Sequence, residues 1–121
     1  MQHSGGIQAS LAGRYALALF DLAEQGKALP AVEKGVAALG EALTASPALK
    51  ALVSSPVVSR ADAGRAVAAI AAQMKLDPLT SNFLGVLAKN RRLAELGNIV
   101  RAFAGLAAAH RGEETAEVTS A

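Results

Sequence analysis

His3 and His110 are the only histidines, and they stand at opposite ends of the chain. A histidine-based metal site or a Ser-His-Asp set needs its members brought together, and this spacing argues against both. There is no cysteine, so thiolate chemistry, disulfides and cysteine-based metal sites are excluded. Asp21, Glu24, Glu33, Glu41, Asp62, Asp77 and Glu95 fall where helix caps or solvated helix faces would put them, and they read as such rather than as an acid–base pair. Gly5-Gly6 follows no strand, and no phosphate-binding loop pattern is present. Lys89, Arg91 and Arg92 form a small basic cluster. A DNA-reading helix would carry Arg, Lys, Asn and Gln along one face. The segment before this cluster is apolar, so the cluster reads as a solvated loop or as a contact for an acidic partner. Tyr15, the sole tyrosine, is either half-buried with its hydroxyl in water or an interface anchor. The expectation is a non-enzyme: no catalytic residues, no metal and no cofactor.

The 121 residues suit one domain, with or without a tail, and are enough for a real core. Aromatic residues make up 3% and alanine dominates the apolar share, so helices can approach closely while each side chain buries little area. That composition disfavours a rigid cofactor pocket walled by aromatics. No apolar run approaches the roughly 18 residues of a membrane span. Residues 1–6 lack the basic-then-apolar pattern of a signal peptide. All twelve basic residues and seven of the ten acids lie in residues 1–112, which leaves that body at +5, with Glu113, Glu114 and Glu117 in the tail. A mildly basic body favours an acidic partner or a membrane surface. It is too weak to argue for nucleic acid by itself.

Punctuation and periodicity predict an all-α fold, a compact bundle of six helices with a short extended C-terminal tail. Residues 1–10 read as a disordered leader, 11–112 as the bundle and 113–121 as the tail. Ser10 caps a helix over 11–25 with Gly26 as its stop. Pro30 sits early in a helix to 45. Ser46 caps a short helix over 47–53, which Ser54-Ser55-Pro56 breaks. Ser59 caps a helix to about 74, with Asp62 in its first turn. Asp77-Pro78 opens a helix to about 89, and Asn90 is expected to end it in the left-handed conformation. A last helix runs over about 92–110, stopped by Gly112. Residues 115–121 alternate weakly, but a lone strand has nothing to pair with.

Two of these helices carry more apolar surface than one core can use. On the first, Leu11, Tyr15, Ala18 and Leu22 form one line and Ala12, Ala16, Leu19, Phe20 and Ala23 another. On the fifth, Leu79, Phe83, Val86 and Asn90 form one line, and Leu84, Leu87 and Ala88 another. Gly85 lies among them and could admit a partner backbone. Either the two helices face each other and fill a central core, or they share a groove for a foreign helix. Anchors at i, i+3/i+4 and i+7 are the mark of a helix laid in a groove.

Four stretches resemble a known family. Ala12-Gly13-Arg14-Tyr15-Ala16-Leu17-Ala18-Leu19-Phe20 looks like the opening "A-x-R/P-Y-A-x-A-L/A-F" of the F-type ATP synthase delta subunit, whose mitochondrial counterpart is the oligomycin-sensitivity-conferring protein. Ser55-Pro56 resembles the family's mid-domain break, and residues 82–93 resemble "N-x-L-x-x-L/M-x-E/K-N-x-R-L". Residues 116–121 resemble the "A-x-V-x-S-A" that opens the family's second domain. The family usually has Gly after the Asn of "E-N-G-R", where this chain has Arg91.

The resemblance implies the N-terminal six-helix domain of a non-catalytic stator subunit, ending where a C-terminal domain would begin. It implies a groove between the first and fifth helices that receives the amphipathic N-terminal helix of an alpha subunit, with Leu11, Tyr15, Ala18, Phe83 and Val86 lining it. It further implies contact with peripheral-stalk b subunits through the C-terminal domain. The membrane is engaged only indirectly, at the cytoplasmic face of a bacterial inner membrane or the matrix face of a mitochondrial one. A small helical DNA-binding regulator is the alternative, and steep loss of duplex binding with salt would mark it.

Overall fold

The structure, a computed structural model, describes residues 10–55 and 57–120, with side chains of the last helix as far as Arg111. The described residues form six α-helices and one 3-10 turn, without a strand. In chain order they are α1 (Leu11–Gln25), α2 (Leu29–Ala45), α3 (Pro47–Ser54), α4 (Arg60–Met74), α5 (Pro78–Lys89), the 3-10 turn Leu93–Glu95, and α6 (Leu96–Ser120). Of the expected leader, residues 1–10, the first nine lie outside the described residues, as does Pro56 of the mid-domain break, while Ser10 caps the first helix.

Local chemistry sets the helix starts. The hydroxyls of Ser10, Ser46 and Ser59 accept from the backbone N–H of Gly13, Leu49 and Asp62, each three residues on. Each bond satisfies one of the orphan donors of a first turn. Asp77 does more for α5. One carboxylate oxygen accepts from Thr80 N–H at 3.0 Å and the other from the Thr80 hydroxyl at 2.6 Å. Thr80 is the only fully buried polar side chain among the described residues, and Asp77 satisfies it. Gly35 of α2 makes room for this cap, because a Cβ there would stand 2.8 Å from Asp77 Oδ1 and 3.0 Å from Thr80 Oγ1.

Helix ends follow a rule the sequence did not display. Gly26 caps α1 as expected, and the left-handed residue is the next one, Lys27 (φ 55°); after α5 it is Arg91 (φ 58°), while Asn90, expected there, keeps φ −89°. Lys75 (φ 57°) closes α4 in the same way. In each case the next residue's N–H reaches back five positions: Ala28 to Ala23, Leu76 to Ala71 and Arg92 to Leu87. Ala28, Leu76 and Arg92 thereby satisfy carbonyls that a helix end leaves open. A side chain in this conformation costs about 1–2 kcal/mol where glycine costs nothing. A cation at a helix C-terminus returns roughly 0.3–1 kcal/mol of that. Lys75→Gly is therefore expected to stabilise the domain by about 0.5–1 kcal/mol, readable as a higher urea midpoint at an unchanged slope.

α6 is the central element, lying against α1 and α2, while α5 lies along α4 and the α3 helix closes one end with the 3-10 turn. The interior holds Leu19, Val32, Leu39, Leu49, Val67, Leu84, Leu87, Leu96, Ile99 and Phe103, all nearly without exposure. Burying each of the leucines contributes on the order of 1.5–3 kcal/mol. Phe20 and Phe103 meet at 5.8 Å between ring centroids with their planes tilted by 57°, joining α1 to α6.

The last helix differs from its expected bounds. It begins at Leu96 after the 3-10 turn, and its backbone runs through Gly112 to Ser120 in place of an extended tail. One glycine costs about 1 kcal/mol against alanine, and continuing a helix is far easier than starting one. Glu113, Glu114, Ala116 and Glu117 are helix formers, so the alternation over 115–121 carried no strand signal. Near its middle α6 is held twice: His110 Nδ1 lies 3.8 Å from a Glu24 carboxylate oxygen of α1, and Arg111 pairs with Glu33 of α2.

Candidate functional site: the α1–α5 face

α1 and α5 run antiparallel. Tyr15, early in α1, meets Phe83 edge-on at 6.2 Å and 72°. Its hydroxyl accepts a hydrogen bond from Asn90 Nδ2 at 3.2 Å, at the end of α5. At the other end, Leu79 at the start of α5 approaches Gly26 just past α1, at 4.0 Å from where a Cβ would stand. The two apolar lines noted in the sequence thus lie side by side: Leu11, Tyr15, Ala18 and Leu22 against Asn90, Val86, Phe83 and Leu79.

The second line of α5 is core: Leu84, Leu87 and Ala88 are buried, as are Ala12, Ala16, Leu19, Phe20 and Ala23 of α1. The first lines are not consumed in this way. Leu11 is 38% exposed, Leu22 51% and Val86 45%, and with Val57 they are the exposed large apolar side chains among the described residues. Ala18 is exposed, Tyr15 is half-buried and Phe83 is nearly covered, with Tyr15 over its edge. The helices do touch, through Tyr15, Phe83 and Asn90, but that contact leaves an apolar strip running along both of them.

Of the five residues singled out from sequence, Leu11, Ala18 and Val86 stand on the surface of this strip, and Tyr15 and Phe83 form its seam. Leu22, the most exposed of the strip, was left off that set although it lies on the same line, one turn beyond Ala18. Asn90, expected as the helix stop at the end of the Leu79 line, caps α5 and also donates to the Tyr15 hydroxyl. No sequence signal ties positions 75 residues apart. Gly85 is not part of the strip. It lies with Ser81 and Asn82 facing Gly64 and Ala68 of α4, and an added Cβ would meet nothing there.

Four of the acids with described side chains serve structure. Asp62 pairs with Arg65, Asp77 caps α5, Glu33 pairs with Arg111, and Glu95 accepts from Asn98. No group of three or more metal-capable side chains occurs among the described residues. No buried side-chain polar atom there lacks a partner. Nor is any single described helix long and apolar enough to cross a membrane. α2 and α3 pass by length and composition only as a pair bent by 90°, and they bury Val32, Val36, Leu39 and Leu49 in the core.

Fold and surface together define a small helical domain with one apolar strip shared by two antiparallel helices. The family model for the ATP synthase delta (OSCP) subunit matches residues 11–121. The chain belongs to the ATP synthase delta (OSCP) subunit family. It is 59% identical over 121 residues to an ATP synthase subunit delta of Rhizorhabdus wittichii and 52% identical to one of Erythrobacter litoralis. All of this chain is covered in both matches, and it spans 66% of the length of each relative. Among solved structures it is similar to a chain of the Toxoplasma gondii mitochondrial ATP synthase hexamer, with a TM-score of 0.72 and 35% identity over 78% of this chain and 52% of that one.

Proposed function

We propose that this chain is a non-catalytic stator domain of an F-type ATP synthase. It receives the amphipathic N-terminal helix of an alpha subunit along the α1–α5 strip. The observation that carries this reading is the exposure of Leu11, Leu22 and Val86 on two antiparallel helices already joined through Tyr15 and Phe83. A foreign helix laid between them would cover all three at once, the helix-in-groove mode of recognition. Membership of the family and the likeness to a chain of an assembled ATP synthase support the same reading. The domain then ties the catalytic head to the peripheral stalk, whose b subunits bind through a following C-terminal domain. Its attachment to the membrane is indirect, on the cytoplasmic face in a bacterium or the matrix face in a mitochondrion.

A stator must dissociate slowly, and an apolar strip suits that role because its affinity depends little on salt. Tyr15 is the only tyrosine and there is no tryptophan, so its emission reports directly on the strip. Titrating a synthetic alpha-subunit N-terminal peptide free of Tyr and Trp should change that emission saturably, with an affinity nearly constant between low and physiological salt. Val86→Ala removes two methyl groups from the strip and should weaken the peptide by about 1–1.5 kcal/mol, roughly tenfold. A salt-steep titration, or one that leaves Tyr15 unaltered, counts against the proposal.

A further inference from the structure

A second site lies away from the α1–α5 strip. The end of α3, the start of α4 and the turn after α5 line an open cleft of about 160 Å³. Its floor is apolar, built from Leu52, Val58 and Leu93, and its wall carries Arg60, Arg91 and the Ser55 hydroxyl. No acid lines it among the described residues. Arg65, Arg101 and Arg111 all have side-chain partners, whereas the guanidinium groups of Arg60 and Arg91 make no hydrogen bond or ion pair within the described residues.

Arg91 also holds its place in the left-handed conformation, at φ 58°. Lys27 and Lys75 share that conformation, so the backbone alone does not single Arg91 out. What does is its position on one cleft wall with a second unpaired guanidinium. Two forks of N–H donors over an apolar floor match a carboxylate with an apolar neighbour. A free phosphate would leave the floor unused.

We propose that this cleft docks an acidic–apolar segment of a protein partner, its carboxylate held by Arg60 and Arg91 and its apolar side chain seated on Leu52, Val58 and Leu93. The probe is a pentapeptide with one glutamate flanked by leucines, blocked at both ends. It is titrated into the 15N-labelled 121-residue chain while the arginine Nε–H signals are followed. Saturable shifts are expected in the millimolar range, weakening with added salt. The glutamine version of the peptide and the Arg60→Gln protein should each bind about tenfold more weakly.

Arg91→Gly is the sharper variant. It relieves the left-handed backbone, so the melting temperature should rise by several degrees while peptide binding falls about tenfold. Lys75→Gly should show the same thermal gain with binding intact. The proposal is overturned by equal binding of the glutamine peptide, by unchanged binding to the Arg91→Gly protein, or by shifts with inorganic phosphate and none with the peptide.

Discussion

Replacing Ala18 by aspartate is expected to weaken the alpha-subunit N-terminal peptide by about 3 kcal/mol, roughly a hundredfold. Ala18 is exposed in the middle of the strip, between Tyr15 and Leu22 along α1. In the free protein an aspartate there stays in water, so the fold should lose no more than about 0.5 kcal/mol. In the complex the carboxylate is taken out of water against apolar side chains, and an uncompensated charge of that kind is far more costly than a lost methyl. Arg14, one turn earlier, offers a partial partner, which holds the loss near a hundredfold rather than a thousandfold. The check is a Tyr15 emission titration alongside far-UV circular dichroism. Unchanged affinity in a protein with unchanged helicity removes the strip from the binding surface.

The second large effect is on stability. Gly35→Ala is expected to destabilise the domain by about 2 kcal/mol, although alanine is the better helix former by about 1 kcal/mol. The new methyl would stand 2.8 Å from Asp77 Oδ1 and 3.0 Å from Thr80 Oγ1. Neither is the free end of a flexible chain: Asp77 is engaged by Thr80 through both its oxygens, and Thr80 is fully buried. Moving Asp77 loses the cap, at roughly 0.5–2 kcal/mol, and leaves the Thr80 hydroxyl short of its partner, at roughly 1–3 kcal/mol. Urea unfolding measures the net result, and a stabilised Gly35→Ala protein would mean that α2 and α5 can part without loss. Because Asp77 starts α5, the same substitution should also loosen the Tyr15–Asn90 hydrogen bond at the far end of that helix.

Much of this architecture was legible in advance because its signals are local. Serine at three helix starts and Asp77-Pro78 at a fourth placed the boundaries of α1, α3, α4 and α5 to within about a residue. Period 3.6 separated the core line of α5 from its exposed line without naming which was which, since apolar type alone does not say what a face leans on. The structure answers that through Leu84 and Leu87, which are buried, and Val86, which is not. The ends of α1 and α5 fall where Gly26 and Asn90 were expected to stop them, but the left-handed residue does not. Gly26 and Asn90 are the residues that best tolerate the left-handed region, but the five-residue reach of the following N–H decides which residue must adopt it. That geometry fell one place later, on Lys27 and Arg91. Gly112 misled in the same way, since a glycine permits a stop without enforcing one. The pairing of Tyr15 with Asn90 and the shared cleft wall of Arg60 and Arg91 depend on residues remote in the chain, and no periodicity encodes them.

The two grips on α6 have a mechanical consequence. His110 and Arg111 are neighbours in sequence, yet one reaches Glu24 on α1 and the other Glu33 on α2. Below them Phe103 is wedged against Phe20 along the same interface. Tension drawn along α6 therefore runs parallel to its contacts with two helices and loads them in shear. Many small contacts must then yield together, where a sideways pull would peel them one at a time. A bundle built mainly from alanine and leucine can in this way resist axial force well beyond what its modest buried area suggests.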